Sequence, residues 1–460
     1  MRILRRARAP LSFGRMRFGL IVLILLVAAV VSPAARAETL TVALYPYVPR
    51  TAQFEAAIRA AWNKVHPADQ LNFINDLKVW DGGYHTNPPA NVDVFVFDAM
   101  YFEEFVANEF LAEMKASEVK NADDFLPYAR AAVMIGDKYY AIPQLGCANI
   151  LFYDARDHGV ANATTLPQLK SSLNQCTYTS EIPPDRRGLM VDMNGSTTIA
   201  TLYLDIAHSM NGTYPLPEPS TPDTKVTDDQ RLTLTLESYL NATSNNETPY
   251  VRGVWFNQGY GRAFMGFTEA MSVMSQQTLS NIGFKPMPLS GTTGKPPLFY
   301  ADAVGVNKTA DQRGIHALAV ELANVIAATD TIVASFKAQD GKNPQYLMSV
   351  RTSAFDTLEK DYPIYKKMHD LTKSNPVAFK LDKNAHKWVK DTASKIRQQV
   401  TANYSCGCDQ TAPRAINNNA DAQTVCPAVC QTHGGWSGQW TNQPPAPQPS
   451  VCGCNACALQ

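Results

Sequence analysis

The sequence has few cysteines outside its C-terminal end, and its formal charges cancel. Only Cys147 and Cys176 precede position 406, and the other seven of nine cysteines lie between 406 and 460. The 41 basic residues equal the 41 acidic ones, which argues against a nucleic-acid-binding protein held by a general basic surface. Hydrophobic residues make up 45% of the 460 positions, so the chain is not disordered as a whole. Its length allows one large two-lobed domain or two to three ordinary ones.

Acidic residues are absent from the first 37 positions, where seven arginines occur. This basic start leads into the apolar run Gly19–Val31, and an Ala-x-Ala cleavage site ends at Ala37. The pattern predicts a secretory signal peptide over 1–37, because the apolar run is too short to cross a bilayer. The alternative is an uncleaved anchor. Cleavage would leave 34 basic and 41 acidic residues, a formal net charge of −7.

We therefore expect a secreted, extracellular protein, with a periplasmic location as the alternative. No cysteine follows the cleavage site directly, so a lipid anchor is not expected. No stable membrane anchor is predicted in the mature chain either.

Aliphatic residues become scarce after position 404. Residues 405–460 combine seven cysteines with the proline-rich run Pro444–Pro449. A segment of this composition lacks the apolar mass for a core and needs cross-links. The cysteine spacing also fits a metal cluster, but His433 is the one histidine nearby, and an exported protein favours disulfides. The sequence predicts a separate disulfide-rich module over 405–460.

Strand and helix patterns alternate between residues 38 and 404. Thr39–Tyr45 alternates polar and apolar residues, as a half-buried strand does, and Phe54–Val65 follows helical spacing. Val94–Phe97 is a short apolar run, typical of a strand covered on both faces. Such alternation over this length predicts an α/β fold over 38–404 with two lobes and a ligand cleft between them.

Cys147 stands apart from the C-terminal cysteines, just before the strand-like run Ile150–Tyr153. A lone cysteine in such a place is most often a small buried apolar residue, and the alternative is a catalytic nucleophile. A papain-like cysteine–histidine pair has weak support, because no recognisable motif brings any of the eight histidines near Cys147.

Acidic residues collect where predicted strands end. Glu269 closes the largely apolar stretch Trp255–Glu269 and is either a solvated glutamate or a catalytic one. If Leu298–Val304 is a strand, Tyr300 and Asp302 point to the same face, because side chains alternate along a strand. An acid within an apolar strand must find a partner or a ligand.

Further candidates follow the other predicted strands. Tyr45 and Tyr47 come at the end of the first strand, and Asp98 follows the run Val94–Phe97. Ligands of α/β sheets bind beyond the carboxyl ends of the strands. Aromatic and acidic side chains gathered there suit a planar, cationic ligand, which they would hold by stacking and charge-assisted hydrogen bonds.

These segments together resemble thiaminase I (thiamine pyridinylase). The resemblance extends in the same order through nearly all of 39–400. It is carried by Val42–Pro49, Asp93–Asp98, the Cys147 segment, Trp255–Glu269, Leu298–Val306, Pro344–Leu347 and Asp361–Tyr365. It implies a two-lobed type II periplasmic-binding-protein fold, in agreement with the prediction from periodicity.

The resemblance also implies a mechanism with no cofactor and no metal. Cys147 matches the family nucleophile, which adds to C6 of the thiamine pyrimidine so that the bond from the methylene to the thiazolium nitrogen breaks. A small nucleophile, an amine or a thiol, then takes the methylene carbon and releases Cys147. Glu269 matches the general base, and Asp98 and Asp302 match acids that hold the pyrimidine. The aromatic residues that match those lining the family's site are Tyr45, Tyr47, Tyr250 and Tyr300.

One position departs from the family pattern. Phe267, two residues before Glu269, stands where the family usually has tyrosine. The substitution removes a hydroxyl beside the expected base and leaves the pair of Cys147 and Glu269 intact.

The C-terminal segment resembles small oligomannose-binding lectins over about 415–454. The resemblance centres on the run Gly434–Trp440, Gly-Gly-Trp-Ser-Gly-Gln-Trp. Indole rings stack on sugar faces and amides bond to sugar hydroxyls, so Trp436, Gln439 and Trp440 are candidates for binding mannose-rich glycans. The alternative is that the two tryptophans form the small core of the module.

Two other functions compete with the thiamine-degrading transferase. A non-catalytic thiamine- or pyrimidine-binding solute protein of the same fold would need neither Cys147 nor Glu269. An adhesion protein or toxin would have the sugar module as its principal part.

The cysteine count leaves the disulfide pairing open. A free Cys147 leaves eight cysteines, seven of them in the tail. Complete pairing therefore requires Cys176 to pair with a tail cysteine. Otherwise Cys176 and one tail cysteine remain free or pair between chains.

Overall fold

The computed structural model describes residues 37–74, 87–173, 188–192, 195–214, 221–233, 250–401, 409–433, 435–442 and 449–454. The predicted signal peptide lies outside these residues, apart from Ala37. Cys176 and the tail residues Cys406, Cys408 and Cys457 also lie outside them.

Strands of the described residues are β1 (Thr39–Ala43), β2 (Gln70–Ile74), β3 (Val94–Asp98), β4 (Met134–Ile135), β5 (Lys138–Tyr139), β6 (Ala141–Cys147), β7 (Ile150–Asp154), β8 (Leu189–Met190), β9 (Ala263–Gly266), β10 (Ile282–Pro286), β11 (Leu298–Val306), β12 (Met348–Ser349), β13 (Val377–Ala378), β14 (Asp409–Thr411), β15 (Trp436–Asn442) and β16 (Ser450–Cys454).

Helices of the described residues are α1 (Thr51–Val65), α2 (Phe102–Ala107), α3 (Pro127–Ala132), α4 (His158–Asn162), α5 (Leu166–Leu173), α6 (Ser196–Asn211), α7 (Thr224–Leu232), α8 (Val251–Asn257), α9 (Gln276–Ser280), α10 (Thr309–Gln312), α11 (His316–Ile326), α12 (Thr329–Phe336), α13 (Thr352–Leu358), α14 (Ile364–Thr372), α15 (Ala385–Thr401) and α16 (Asn419–Val429). Short 3₁₀ helices include Ala99–Tyr101 and Thr268–Val273.

A seven-stranded mixed sheet forms the first lobe. Its order is β12-β6-β11-β3-β1-β2, with β13 beside β11. β1 is parallel to β2 and β3, whereas β11 is antiparallel to β3 and β6. All nine residues of β11 and the first four of β3 are buried, because helices or loops cover both faces of these central strands. The prediction of a strand covered on both faces at Val94–Phe97 is confirmed.

A second, four-stranded sheet forms the other lobe in the order β10-β7-β9-β8. β7 is antiparallel to both β9 and β10. Helix α15, near the end of the α/β region, packs against α6 and α7, which lie between β8 and β9 of this sheet in the chain order. The two sheets confirm the predicted two-lobed α/β fold.

The chain passes directly from one sheet to the other at the predicted nucleophile. β6 of the first sheet ends at Cys147, and β7 of the second sheet begins at Ile150. A second crossing joins the end of β10 at Pro286 to the start of β11 at Leu298. Cys147 therefore lies at the junction of the two lobes.

Most predicted elements occur at the expected positions, with small differences at their ends. The strand predicted at Thr39–Tyr45 stops at Ala43. Apolar residues continue at helical spacing from Phe102 to Phe110, but α2 ends at Ala107. Glu109 adopts a left-handed backbone with φ 57°, which turns Phe110 out of the helix.

The C-terminal residues form a small module around their own apolar cluster. Its sheet has the order β14-β16-β15. Two disulfides, Cys426–Cys452 and Cys430–Cys454, join α16 and the residue after it to β16. The predicted need for cross-links is confirmed for these four cysteines, and the buried part of the cluster otherwise contains only Ala412, Ile416 and Ala422 among the described residues.

Candidate active site

Cys147 ends β6 directly opposite Tyr300 in β11. Its thiol is free, and its side chain is half-buried. The preceding glycine is required by close packing, because an added Cβ at Gly146 would lie 2.1 Å from the Tyr128 hydroxyl oxygen. The end of β6 thus packs tightly against Tyr128, directly before Cys147 at the junction of the lobes.

The environment of Cys147 disfavours the thiolate. Burial raises the pKa of the thiol well above its ordinary value, and the nearby carboxyl groups of Asp302, Asp98 and Glu269 raise it further. The ligand-free protein therefore holds Cys147 as a neutral thiol at neutral pH. A thiol in this state needs a base before it can act as a nucleophile.

Asp98 and Asp302 face each other across two neighbouring strands. They are register partners in the antiparallel pair of β3 and β11. Asp98 Oδ1 accepts a hydrogen bond from the Met100 amide at 2.9 Å. Burial raises the pKa of both carboxyl groups, and the charge of Asp98 raises the pKa of Asp302 further. Two carboxyls held so close favour the sharing of a proton.

Glu269 reaches the same cluster from the second lobe. It lies in the 3₁₀ helix Thr268–Val273, which follows β9. Helix α8 packs closely on this turn, since an added Cβ at Gly253 would lie 2.6 Å from the Ala270 carbonyl oxygen. Burial raises the pKa of Glu269 to about 7, although a hydrogen bond from its own backbone amide opposes the shift. A carboxyl with that pKa is suited to exchanging a proton near neutral pH.

The three carboxyl groups of this cluster lack a basic partner. None of Asp98, Asp302 and Glu269 forms an ion pair with a lysine or arginine among the described residues. Their ionisation is unfavourable until positive charge arrives. The cluster is therefore electrostatically suited to a cationic ligand, as the sequence predicted.

Aromatic side chains line the approach to these acids. The rings of Tyr45 and Tyr47 meet edge to face with centroids 5.6 Å apart. The Tyr250 hydroxyl donates to the Tyr47 carbonyl oxygen at 3.3 Å, linking the second lobe to the first. Tyr47 is 47% exposed, so it lies at the solvent side. Tyr300 is buried against Phe379, with ring centroids 4.7 Å apart.

Burial or neighbouring carboxylates raise the pKa of the clustered tyrosines as well. The pKa of Tyr45 is raised first by burial and then by the charges of its neighbours Asp302, Asp98, Cys147 and Glu269. That sensitivity places Tyr45 in the same cluster as the predicted catalytic groups. Phe267, in contrast, is 40% exposed, so the family's missing hydroxyl would have been near the solvent.

Two residues of this region were missed by the sequence analysis. Asp205, 5% exposed in α6, accepts a hydrogen bond from Asn149 Nδ2 at 2.8 Å. The same nitrogen lies 3.5 Å from the Tyr300 hydroxyl oxygen. The sequence signal for Asp205 was an acid between Leu204 and Ile206 in an apolar helix.

A separate cavity of about 420 Å³ adjoins the second crossing. Asn149 and Asp205 form part of its wall, together with His208 and Lys295. Its lining includes none of the eight predicted residues of the α/β site, so it is distinct from the carboxyl cluster.

In the C-terminal module, Trp436 and Trp440 pair with Cys454 and Cys452 of β16. Both rings are half-buried against the module's apolar cluster. Trp440 Nε1 donates to Asn419 Oδ1 at 2.8 Å. The tryptophans therefore contribute to the core while remaining partly accessible. The Gln439 side chain lies outside the described residues.

Comparison with known proteins identifies the family of the large domain. Thiaminase-1 of Paenibacillus thiaminolyticus is 34% identical over 400 residues, which cover 83% of this chain and 95% of that protein. The chain belongs to the thiaminase I family. Residues 148–290 match the family described as Thiaminase-1 domain. The predicted resemblance, and with it the prediction of an enzyme of the thiaminase I class, is confirmed.

Solved thiaminase I structures have the same architecture. Clostridium botulinum thiaminase I in complex with thiamin superposes with a TM-score of 0.73 at 34% identity, covering 78% of this chain and 99% of that one. The GacH receptor of Streptomyces glaucescens has a TM-score of 0.59 at 13% identity and covers 80% and 94% of the two chains. The latter likeness concerns the fold alone and confirms the periplasmic-binding-protein architecture.

The C-terminal module has its own family. Residues 419–454 match the family described as Mannan-binding protein. This confirms the predicted resemblance to a mannose-binding lectin.

Proposed function

We propose that this thiaminase I family member degrades thiamine by replacing its thiazole with another nucleophile. The observation that carries the proposal is the meeting, at the lobe junction, of the free Cys147 with Glu269 and the pair Asp98 and Asp302. A thiol, a base of pKa about 7 and further acids are what nucleophilic catalysis on a cationic heterocycle requires.

Substrate binding would be driven by charge and stacking. Thiamine carries a permanent positive charge on its thiazolium ring, which would compensate the carboxyl cluster that has no basic partner in the described part of the chain. We assign Asp98 and Asp302 to the amino group and ring nitrogens of the pyrimidine, because carboxyl groups can both accept and, when protonated, donate hydrogen bonds. Tyr45, Tyr47 and the residues Tyr250 and Tyr300 would enclose the rings.

The chemical steps follow from the placement of the thiol and the base. Glu269 takes the proton of Cys147, and the thiolate adds to C6 of the pyrimidine. Glu269 passes that proton through the neighbouring acids to a pyrimidine ring nitrogen. The ring electrons then expel the thiazole, and the electrons of the broken methylene–nitrogen bond stay on the thiazole nitrogen. An amine or thiol attacks the methylene and loses its proton to Glu269, which is ionised again. The sulfur then leaves C6 as a thiolate and recovers a proton from Glu269, while the ring nitrogen releases its own proton.

The raised pKa of Cys147 gives this scheme a further property. The thiol stays protonated in the empty site, because burial and three carboxyl groups oppose the thiolate. Binding of a cation lowers the free energy of every anion in the cluster. Cys147 would therefore become nucleophilic only after thiamine has entered, which protects the free thiol from unproductive oxidation.

A non-catalytic thiamine-binding protein is the weaker alternative. Such a protein would gain from the carboxyl groups and tyrosines but not from Cys147 next to Glu269. An adhesion protein or toxin with a vestigial large domain is disfavoured for the same reason.

The test is turnover by the full mature chain. We expect release of free thiazole from thiamine when a small amine such as aniline is added, with formation of the pyrimidine–amine product in equal amount. Chromatography of both products checks the balance. Tight thiamine binding without either product would instead establish the solute-binding alternative.

We further propose that the chain is secreted and divided as the sequence predicts, into a signal peptide at 1–37, a catalytic domain at 38–404 and a lectin-like module at 405–460. No single helix among the described residues is long and apolar enough to span a membrane, although the bent pair α11 and α12 meets that length and composition together.

The module at 405–460 would direct the enzyme to mannose-rich glycans. Trp440 is the residue of choice for a test, because its ring is partly accessible and its indole nitrogen is held by Asn419. We expect Trp440→Ala to weaken binding to oligomannose on a glycan array by about 10-fold or more. Trp440→Phe, which keeps an aromatic face, should retain part of the binding.

Thiazole release should be unchanged in both Trp440 variants. Absence of oligomannose binding by the unmodified full chain would remove the lectin proposal and leave the catalytic one untouched.

A further inference from the structure

Asn149 joins the two crossings between the lobes. Its backbone carbonyl oxygen accepts from the Met287 amide at 2.9 Å, and Met287 begins the second crossing. Its side chain donates to Asp205 of α6 at 2.8 Å. Asn149 also lies only two residues beyond Cys147, so its position constrains the chain that carries the nucleophile.

The same side chain contacts the first lobe. Asn149 Nδ2 is 3.5 Å from the hydroxyl oxygen of Tyr300. Tyr300 is the residue directly opposite Cys147 in the antiparallel ladder. One amide group therefore touches both helix α6 and an active-site tyrosine of the first lobe.

Asp205 is an unusual residue for a purely structural position. It is 5% exposed between two fully buried apolar residues of α6. It forms no ion pair with lysine or arginine among the described residues, and it accepts a hydrogen bond from the uncharged Asn149. Burial raises its pKa to about 7, and the bond from Asn149 opposes that shift. A buried carboxyl held by one amide is costly to stability, and the mechanism above gives it no role.

We propose that Asp205 and Asn149 form a positioning pair that fixes Cys147 relative to Tyr300 across the lobe junction. The Asp205 carboxyl fixes the side-chain amide of Asn149, and Asn149 in turn fixes the segment between β6 and β7. The position of this segment determines where the sulfur of Cys147 lies relative to the pyrimidine. A shift of about 1 Å at a reacting atom costs on the order of 100-fold in rate. The kinetic test of this inference rests on the proposed function, because it measures thiazole release. A second test, the alkylation of Cys147, does not depend on that function.

Exchange of the two side chains supplies the kinetic test. We expect Asp205→Ala to lower kcat by about 10- to 100-fold while KM for thiamine changes by less than about 3-fold. Asn149→Asp should be at least as harmful, because two carboxyls would then face each other. In the double variant, Asn149→Asp with Asp205→Asn, donor and acceptor are exchanged and the pair re-forms. Its kcat should recover to within about 5-fold of the unmodified chain.

Ser209→Ala is the matched control. Ser209 lies one turn after Asp205 on α6 and lines the same cavity, but its hydroxyl bonds to Ser290. We expect its kcat to stay within about 2-fold of the unmodified chain. Thermal midpoints of all variants separate lost positioning from lost folding, and if Asp205→Ala unfolds, Asn149→Asp and the double variant make the same comparison.

Alkylation of Cys147 by iodoacetamide, followed on its peptide without thiamine, is the chemical test. The rate should change in each single variant and return in the double variant. An Asp205→Ala kcat within about 2-fold of the unmodified chain, or a loss that the exchange fails to recover, would overturn the proposal. If the unmodified chain releases no thiazole, the proposed function fails, and the alkylation rates alone decide the positioning role.

Discussion

Replacing Cys147 by serine should reduce thiazole release by about 1,000-fold or more. The reason is the pKa of the attacking group. The buried cluster already raises the thiol's pKa well above its ordinary value, and a hydroxyl in that place would be still harder to ionise than a thiol. Glu269, with a pKa of about 7, could not deprotonate it to a useful extent.

The measurement separates chemistry from binding. Thiamine affinity of Cys147→Ser, determined by calorimetry, should stay within about 3-fold of the unmodified chain, because the acids and tyrosines that we assign to binding are untouched. Mass spectrometry of the unmodified chain, quenched with thiamine and no amine, should show a pyrimidine adduct on the peptide containing Cys147. Full turnover by Cys147→Ser, or an adduct on a different residue, would refute the covalent mechanism.

The placement of the site could be predicted from sequence because local patterns specify it. Val94–Phe97 followed by Asp98, and Tyr300 two positions before Asp302, need only strand periodicity to place acids at strand ends and on one face. The structure makes Asp98 and Asp302 register partners. The alternation of polar and apolar residues predicts the strands but not their register, because the register depends on how β11 inserts between β3 and β6.

Contacts between the lobes were beyond prediction from local patterns. Glu269 and Cys147 are far apart in sequence, and only the family resemblance linked them. The pair of Asn149 and Asp205 carries no motif, since an amide and an acid 56 positions apart meet only when α6 packs against the crossing. Helix ends were also displaced, as at Glu109, because a left-handed residue is not encoded by hydrophobic spacing.

Replacing Glu269 by glutamine should lower thiazole release by about 100- to 10,000-fold and change its pH dependence. In the unmodified chain, the base must be ionised, so kcat/KM should fall as the pH decreases through about 7, the pKa to which burial raises Glu269. Glutamine cannot accept the proton at any pH in this range. The residual activity of Glu269→Gln should therefore lose that dependence on Glu269 ionisation.

Other carboxyls of the cluster also titrate with raised pKa values, so Asp302→Asn is the necessary comparison. Burial and then the charges of Asp98 and Glu269 raise the pKa of Asp302. Because burial, and not the charge of Asp302, raises the pKa of Glu269, the activity of Asp302→Asn should still fall as the pH decreases through about 7, whatever its rate. Glu359→Gln, at the end of α13, should alter neither the rate nor the profile.

The thermal stability of Glu269→Gln provides an independent check. We expect the variant to be at least as stable as the unmodified chain at pH 8, whereas a folding defect would make it less stable. The folded pKa of Glu269, about 7, lies above its ordinary value of 4.5, so the native state binds this proton more tightly than the unfolded chain. Stability is therefore lost as the pH rises from 4.5 through about 7. Glutamine abolishes that loss, so the thermal midpoint of the variant at pH 8 should equal or exceed that of the unmodified chain. A variant inactive and also less stable at pH 8 would indicate damage to the fold, and a fully active one would exclude Glu269 as the base.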